Sequence, residues 1–210
     1  MSICKPFFRH SQKPTGLCGR WFGRSMNIGH ARLRTWGLQH VQIQPDFHIL
    51  DLGCGGGKTV KVMAARVPQG KVFGIDHSPD MVRLAGAVNR KPIEEKRVEI
   101  LPSSVSKLPF PDHSFDLVTA FESYYFFPDL PGGLKEIRRT IKPGGELLIV
   151  NEAHLSESYV KRNTYWTRIT EMMLHSKDEY HEFLTNAGFT NISFDTLPHK
   201  NWIAIVAGAF

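Results

Sequence analysis

The chain of 210 residues lacks most of the features that mark special environments. No apolar run approaches the roughly 18 to 20 residues that cross a bilayer; the longest, Ile203 to Phe210, spans eight residues and reads as a last buried strand. The three cysteines, Cys4, Cys18 and Cys54, are odd in number and match no disulfide framework. No CxxC pair accompanies them, so the spacing of Cys4, His10 and Cys18 supports no metal site, and none is expected. There is no repeat and no low-complexity stretch. The start of the chain is basic but lacks the apolar centre of about 7 to 15 residues that a secretory signal carries. Export and membrane contact are therefore not expected, and a reducing cytoplasm is.

Acidic side chains are missing from one region altogether. Residues 1–45 hold seven basic groups (Lys5, Arg9, Lys13, Arg20, Arg24, Arg32 and Arg34) and no Asp or Glu, whereas the rest of the chain is nearly balanced around a total net charge of +6. The basic character belongs to an N-terminal arm and not to the body, so no general nucleic-acid-binding face is implied. The expected organisation is an arm and cap or lid over residues 1–45, followed by one domain over residues 46–210. With 22% charged and 41% hydrophobic residues, the domain is that of a soluble globular protein.

From Asn27 an approximate helical stripe (Ile28, Ala31, Leu33, Trp36, Leu38, Val41) predicts one or two short helices, weakened by Gly29 and Gly37. Strand and helix signals then alternate. Strands are expected at 47–52, 72–75, 98–101, 115–121 and 146–151, and helices at 58–67, 79–89 and 131–141. Ser78 as N-cap, Pro79 at the first helical position and Asp80 beside the positive helix end mark the second of these helices. Lys142-Pro143-Gly144-Gly145 reads as a turn. A further helix is expected over 159–175, then one opened by a Ser176/Glu179 capping box and stopped at Gly188, and finally strands at 189–196 and 202–207. The alternation describes an α/β, doubly wound domain with a terminal hairpin and an N-terminal helical cap.

The most informative stretch is Leu50-Asp51-Leu52-Gly53-Cys54-Gly55-Gly56-Gly57-Lys58-Thr59. Glycines at 53, 55 and 57 let the backbone turn sharply out of a strand and approach a ligand closely, while the next helix offers free N–H groups at its start. Asp76 ends the second strand, where a doubly wound sheet places an acid against the ribose hydroxyls of a nucleoside. Phe121 to Phe127 (FESYYFF) sets aromatics beside a carboxylate on the same sheet edge.

The ordered segments LDLGCGGGKTV, GIDHSPDMV, SSVSKLPFPDHSFDLV and IRRTIKPGGELLIVNE resemble the motif series of class I S-adenosylmethionine-dependent methyltransferases. That resemblance implies a Rossmann-like seven-stranded sheet with an antiparallel last strand, S-adenosyl-L-methionine as donor and S-adenosyl-L-homocysteine as product. It further implies that Asp51, Gly53, Gly55 and Gly57 line the methionine portion, that Asp76 holds the ribose, that His77 lies against adenine, that Ser104 and Val105 meet the adenine edge, and that Phe121 also lines the donor. Ser104 stands where the family often has Asp; it can accept a hydrogen bond there but brings no charge.

Methyl transfer is an in-line displacement at a sulfonium, so alignment and exclusion of water matter more than a fixed triad. A base is needed for hydroxyl, protonated amine or carbon acceptors. The candidates are Glu122, Tyr125 and His30, with Tyr124 an aromatic wall or a further base, and Met26 and Trp36 placed to close over the sulfonium or to pack in the core. The arm suits a lid over a compact acceptor. A small-molecule acceptor is expected, on a monomer or homodimer; an RNA acceptor held by the arm and a non-catalytic donor-binding module are the alternatives. A nicotinamide-dependent enzyme would favour GxGxxG, and Lys58 stands at its third glycine. A DPPY-type tetrad is absent after the fourth strand, as is a Pro-Cys pair anywhere, which disfavours DNA base methylation.

Overall fold

A computed structural model describes residues 29–170 and 172–210; Cys4, His10, Cys18, Met26 and most of the basic arm lie outside the described residues. Seven strands, β1 (His48–Leu52), β2 (Lys71–Asp76), β3 (Val98–Pro102), β4 (Phe115–Phe121), β5 (Ile141–Asn151), β6 (Thr190–Leu197) and β7 (Trp202–Ala209), form one sheet in the order β3-β2-β1-β4-β5-β7-β6. β1 to β5 run parallel, and β7 is antiparallel to both β5 and β6. This is the Rossmann-like, doubly wound sheet with an antiparallel last strand that the resemblance implied, and its strand order reverses between β1 and β4.

Among the described residues seven helices flank it: α1 (Ala31–Gly37), α2 (Lys58–Arg66), α3 (Pro79–Val88), α4 (Arg90–Glu94), α5 (Leu130–Thr140), α6 (Val160–Thr170) and α7 (Lys177–Asn186). The strand period of two sends alternate residues to opposite faces, and both faces are covered. On one, Leu50, Leu52, Val118 and Ala120 cluster with Leu134 and Ile137 of α5 and Tyr180 and Leu184 of α7. On the other, Ile49, Leu117, Leu148 and Val150 cluster with Leu33 of α1 and Val60 and Met63 of α2. Each such Leu, Ile or Val contributes about 1.5–3 kcal/mol by leaving water. Central strands buried on both sides explain why they read as continuous apolar runs.

The helix starts follow their sequence signals. Ser78 Oγ accepts from the Met81 N–H with Pro79 in the first turn, and Ser176 and Glu179 form the reciprocal capping box. Two expectations are corrected. Lys142–Gly145 is not a separate turn but a bulge inside β5, where the register with β4 jumps from Phe115↔Ile141 to Leu117↔Glu146 and Gly144 has φ of +81°. The helix expected to reach His175 ends at Thr170: the Met173 N–H instead donates to the Tyr125 carbonyl and His175 accepts from the Leu155 N–H, so tertiary partners outbid the next helical turn. α4 follows α3 directly, tolerated because Pro92 sits in its first turn, where no intrahelical donor is lost.

The passage from β1 into α2 depends on Gly57. Its φ is +74°, and a Cβ there would lie 2.7 Å from the Ala85 Cα and 2.8 Å from the Ala85 Cβ, so α3 could not pack against the loop. Its carbonyl accepts from Asn89 Nδ2 at 2.9 Å, tying the two elements together. Gly57→Ala should destabilise the fold by about 3 kcal/mol, from left-handed strain plus overpacking; urea unfolding measures it, and a change under about 1 kcal/mol would show that the interface yields easily.

Candidate functional site

The C-terminal ends of β1, β2 and β4 open into a cavity of about 330 Å³ at the reversal point of the sheet, the place where doubly wound sheets bind ligands. Its size is at the lower end for small-molecule sites. Gly53, Cys54, Gly55 and Gly56 form its floor, with Asp76, His77, Ser104 and Val105 at one end and Phe121, Glu122 and His30 at the other.

Asp76 organises the floor. One carboxylate oxygen accepts from the Gly55 N–H at 2.9 Å and the other from the Ser78 N–H at 2.8 Å. The Cys54 N–H donates to the Ile75 carbonyl at 2.9 Å, so the glycine loop is sewn to the end of β2. Burial pushes the Asp76 carboxyl upward, against the pull of these two N–H groups. Each oxygen accepts one bond and keeps a lone pair free for a hydroxyl donor. His77 beside it is half-exposed, with Nδ1 3.8 Å from Asp76. Ser104 is exposed and turned toward its neighbours, its Oγ 3.3 Å from the Ser106 N–H, while Val105 is buried.

The glycines divide their work. Gly53 has φ of +64° and passes so close to the end of β4 that a Cβ would sit 2.5 Å from the Ser123 Cβ. Ser123 Oγ closes that contact by donating to the Leu52 carbonyl at 2.6 Å. Gly55, at φ +50°, would carry its Cβ into open space, 4.0 Å from the nearest heavy atom, and leaves its N–H for Asp76. Gly57 does not line the cavity; it serves α3 packing, so the methionine contact expected of it is not among its visible roles.

Behind the loop, Asp51 is 2% exposed and accepts from Thr119 Oγ1 at 2.7 Å. Burial pushes its carboxyl up to about 7, with the Thr119 bond and the charge of Arg34 opposing. Arg34, which the sequence reading missed as a site residue, comes from α1 and is 7% exposed, and its guanidinium has no hydrogen-bond partner among the described residues. A buried guanidinium facing Asp51 across a cavity fits a zwitterionic ligand. α1 reaches this place because Gly37 lets it lie on β5: a Cβ there would be 2.6 Å from Val150 Cγ2.

At the other end, Glu122 follows β4 with φ of +55°, a left-handed conformation that costs a non-glycine residue energy and aims its side chain back under the strand ends. Its Oε1 accepts from Tyr125 Oη at 3.1 Å and from the Glu152 N–H. Tyr125 Oη in turn accepts from the Ala153 N–H at 3.1 Å. Burial, then the charge of Glu152, holds the Glu122 carboxyl well above the usual range. Burial likewise raises the Tyr125 phenol and lowers His30. His30, Glu122 and Glu152 bring ligand-type atoms within 4.8 Å of one another. Tyr125 is buried behind Glu122, outside the cavity, and Tyr124 packs 5.0 Å from the Tyr180 ring centroid as core. Of the two readings offered for Trp36, packing holds: it lies against His40 and Trp202 and does not line the cavity. Glu152 was overlooked, although it ends β5 as Glu122 ends β4.

Comparison with known proteins bears on this geometry. Residues 50–149 match a family described as a methyltransferase domain. The demethylmenaquinone methyltransferase of Listeria welshimeri is 32% identical over 123 residues, 58% of this chain and 52% of that protein. This chain thus spans about half the length of the curated relatives it matches. A chain of the Haloferax volcanii complex between the Trm112 methyltransferase activator and a protein described as a methyltransferase superposes with a TM-score of 0.80 at 23% identity, covering 89% of this chain and 93% of that one. The geranyl diphosphate C-methyltransferase of Streptomyces coelicolor A3(2), solved with Mg²⁺, geranyl diphosphate and S-adenosyl-L-homocysteine, gives 0.75 at 17% identity, covering 86% and 79%.

Asp51 makes a pH signature. It keeps its proton to about pH 7 when folded and loses it near 3.8 when unfolded, so its stabilising contribution is complete below pH 3.8 and vanishes as pH rises through 7. Relative to Asp51→Asn, the wild type should lose up to about 4 kcal/mol of unfolding free energy between about pH 4 and 8. Urea titrations of both proteins across that range measure it; parallel pH profiles would contradict it.

Proposed function

We propose that the chain, whose residues 50–149 match a methyltransferase domain, is a class I S-adenosylmethionine-dependent methyltransferase that transfers a methyl group to a small-molecule acceptor. The family's donor is S-adenosyl-L-methionine. The observation that carries the reading is the pair of hydrogen bonds by which Asp76 ties Gly55 of the glycine loop to Ser78 at the start of α3 while keeping acceptor capacity toward the cavity. Bound there, the donor would supply a methyl group on a sulfonium, whose sulfur leaves with the bonding pair as a neutral thioether.

The chain's own residues do the rest. Asp76 holds the ribose hydroxyls and His77 and Val105 border the adenine. Asp51 receives the ammonium of the methionyl tail, whose charge draws the buried carboxyl toward its ionised form, and Arg34 receives the tail's carboxylate. Ser104, exposed and bonded to Ser106, contributes less. Phe121 and Phe126 exclude water beside the reacting centre. The acceptor enters at the His30 end, where Glu122 and His30 promote loss of the acceptor's proton and Tyr125 positions Glu122. α1 walls this end, and the arm before it is the proposed lid. A cavity of about 330 Å³ favours a small acceptor, as do the small-molecule names carried by relatives.

Titration calorimetry with S-adenosyl-L-homocysteine should give one site per chain, weakened at least about tenfold in Asp76→Ala by loss of charge-assisted hydrogen bonds; no heat with the wild type would end the reading. With an acceptor found by scanning for S-adenosyl-L-homocysteine release, Glu122→Gln should lower turnover by about 10² to 10⁴ while donor affinity holds. Equal turnover would remove Glu122 from the chemistry.

A further inference from the structure

The cluster at the acceptor end holds three groups that lie far apart in sequence. His30 precedes α1, Glu122 follows β4 and Glu152 follows β5, yet one ligand atom from each lies within 4.8 Å of the others. No sequence spacing could announce such a set, which is why a search for paired cysteines and histidines finds nothing.

We propose that His30, Glu122 and Glu152 form a site for a divalent first-row transition ion, held by one imidazole nitrogen and two carboxylate oxygens, with its remaining positions open to the cavity. Among the described residues neither carboxylate takes part in an ion pair. Arg162, whose charge reaches Glu122, donates to backbone carbonyls, Nη1 to that of Lys200 at 3.2 Å and Nη2 to that of Glu152 at 3.5 Å. Two facing carboxylates with no cation repel each other, and either a shared proton or a cation relieves that. The third group decides between them. A shared proton needs only the two oxygens, whereas the His30 ring, with no hydrogen-bond partner among the described residues, turns a nitrogen to the same point. Three converging donors are what a cation uses.

The surroundings agree. Glu122 is fixed by the Tyr125 hydroxyl and the Glu152 N–H through one oxygen, which is how ligating carboxylates are oriented by outer partners, and its other oxygen is left for an ion. The left-handed backbone at Glu122 is the strain that points this carboxylate inward. A filled site brings donors to about 3–4 Å of one another, so side-chain rotation by about an ångström completes it. The mixed nitrogen and oxygen set favours Mn²⁺, Fe²⁺ or Zn²⁺ over Mg²⁺, which prefers oxygen alone. The bearing on methyl transfer rests on the reading above: a hydroxyl acceptor bound to the ion would lose its proton to solvent more readily.

The test uses the full chain, stripped with a chelator, and Mn²⁺, Zn²⁺ and Mg²⁺ as the probes. Calorimetry, with electron paramagnetic resonance for Mn²⁺, should show one Mn²⁺ or Zn²⁺ per chain and much weaker Mg²⁺. Glu152→Gln and His30→Asn should each weaken the ion at least about 100-fold, and Tyr125→Phe about tenfold, with circular dichroism verifying each fold. No stoichiometric Mn²⁺ or Zn²⁺, or binding unchanged in Glu152→Gln and His30→Asn, would overturn the site and leave a shared proton between the carboxylates. S-adenosyl-L-homocysteine binding is measured separately: a chain that takes up the ion but shows no affinity for S-adenosyl-L-homocysteine would refute the donor reading and not the ion site.

Discussion

One buried carboxylate sets the shape of the site. Asp76 is 7% exposed, and removing a charge from water is costly unless hydrogen bonds replace the lost hydration. The replacements are the N–H groups of Gly55 and Ser78, one from the glycine loop and one from the cap of α3. The same two bonds therefore keep the charge tolerable, hold the loop in its left-handed turns and align the start of α3. The close passage of Gly53 past Ser123, and of Gly57 past Ala85, follows from holding the loop this tightly against β2 and β4.

From that anchor the cavity gains a polarity along its length. A carboxylate with spare lone pairs stands at the β2 end, a guanidinium and a carboxyl face each other beside the loop, and two carboxylates with an imidazole gather past β4. Each charged group is fixed by the end of a strand or by α1, which sits on rigid sheet. A ligand with hydroxyls, a zwitterionic tail and a reactive centre between them finds complementary groups in that order. Preorganisation of this kind lowers what binding must spend on ordering side chains.

Much of this was legible in the sequence because the determining interactions are local. Strands buried on both faces are apolar runs, Ser78-Pro79-Asp80 and Ser176 with Glu179 carry their own capping geometry, and the glycine loop followed by Asp76 states its purpose within one βαβ unit. Glu122 and His30, expected from a place after a strand and before a helix, both line the cavity. What escaped depends on distant contacts. Arg34 looked like one more basic residue of the arm until α1 turned it toward Asp51. Glu152 carried no local signal beyond ending a strand. Residues 172–175 keep helical-looking composition, yet their backbone pairs with Tyr125 and Leu155. Trp36 has the ring a sulfonium would suit, but Trp202 claims it, and only the sheet order brings those two together.

The most direct test is a crystal structure of the chain with S-adenosyl-L-homocysteine. The account predicts both ribose hydroxyls within hydrogen-bonding distance of the Asp76 carboxylate, the Gly55 and Ser78 N–H bonds to that carboxylate intact, and the thioether sulfur directed toward Glu122. The ligand lodged elsewhere, or its ribose turned away from Asp76, would contradict it.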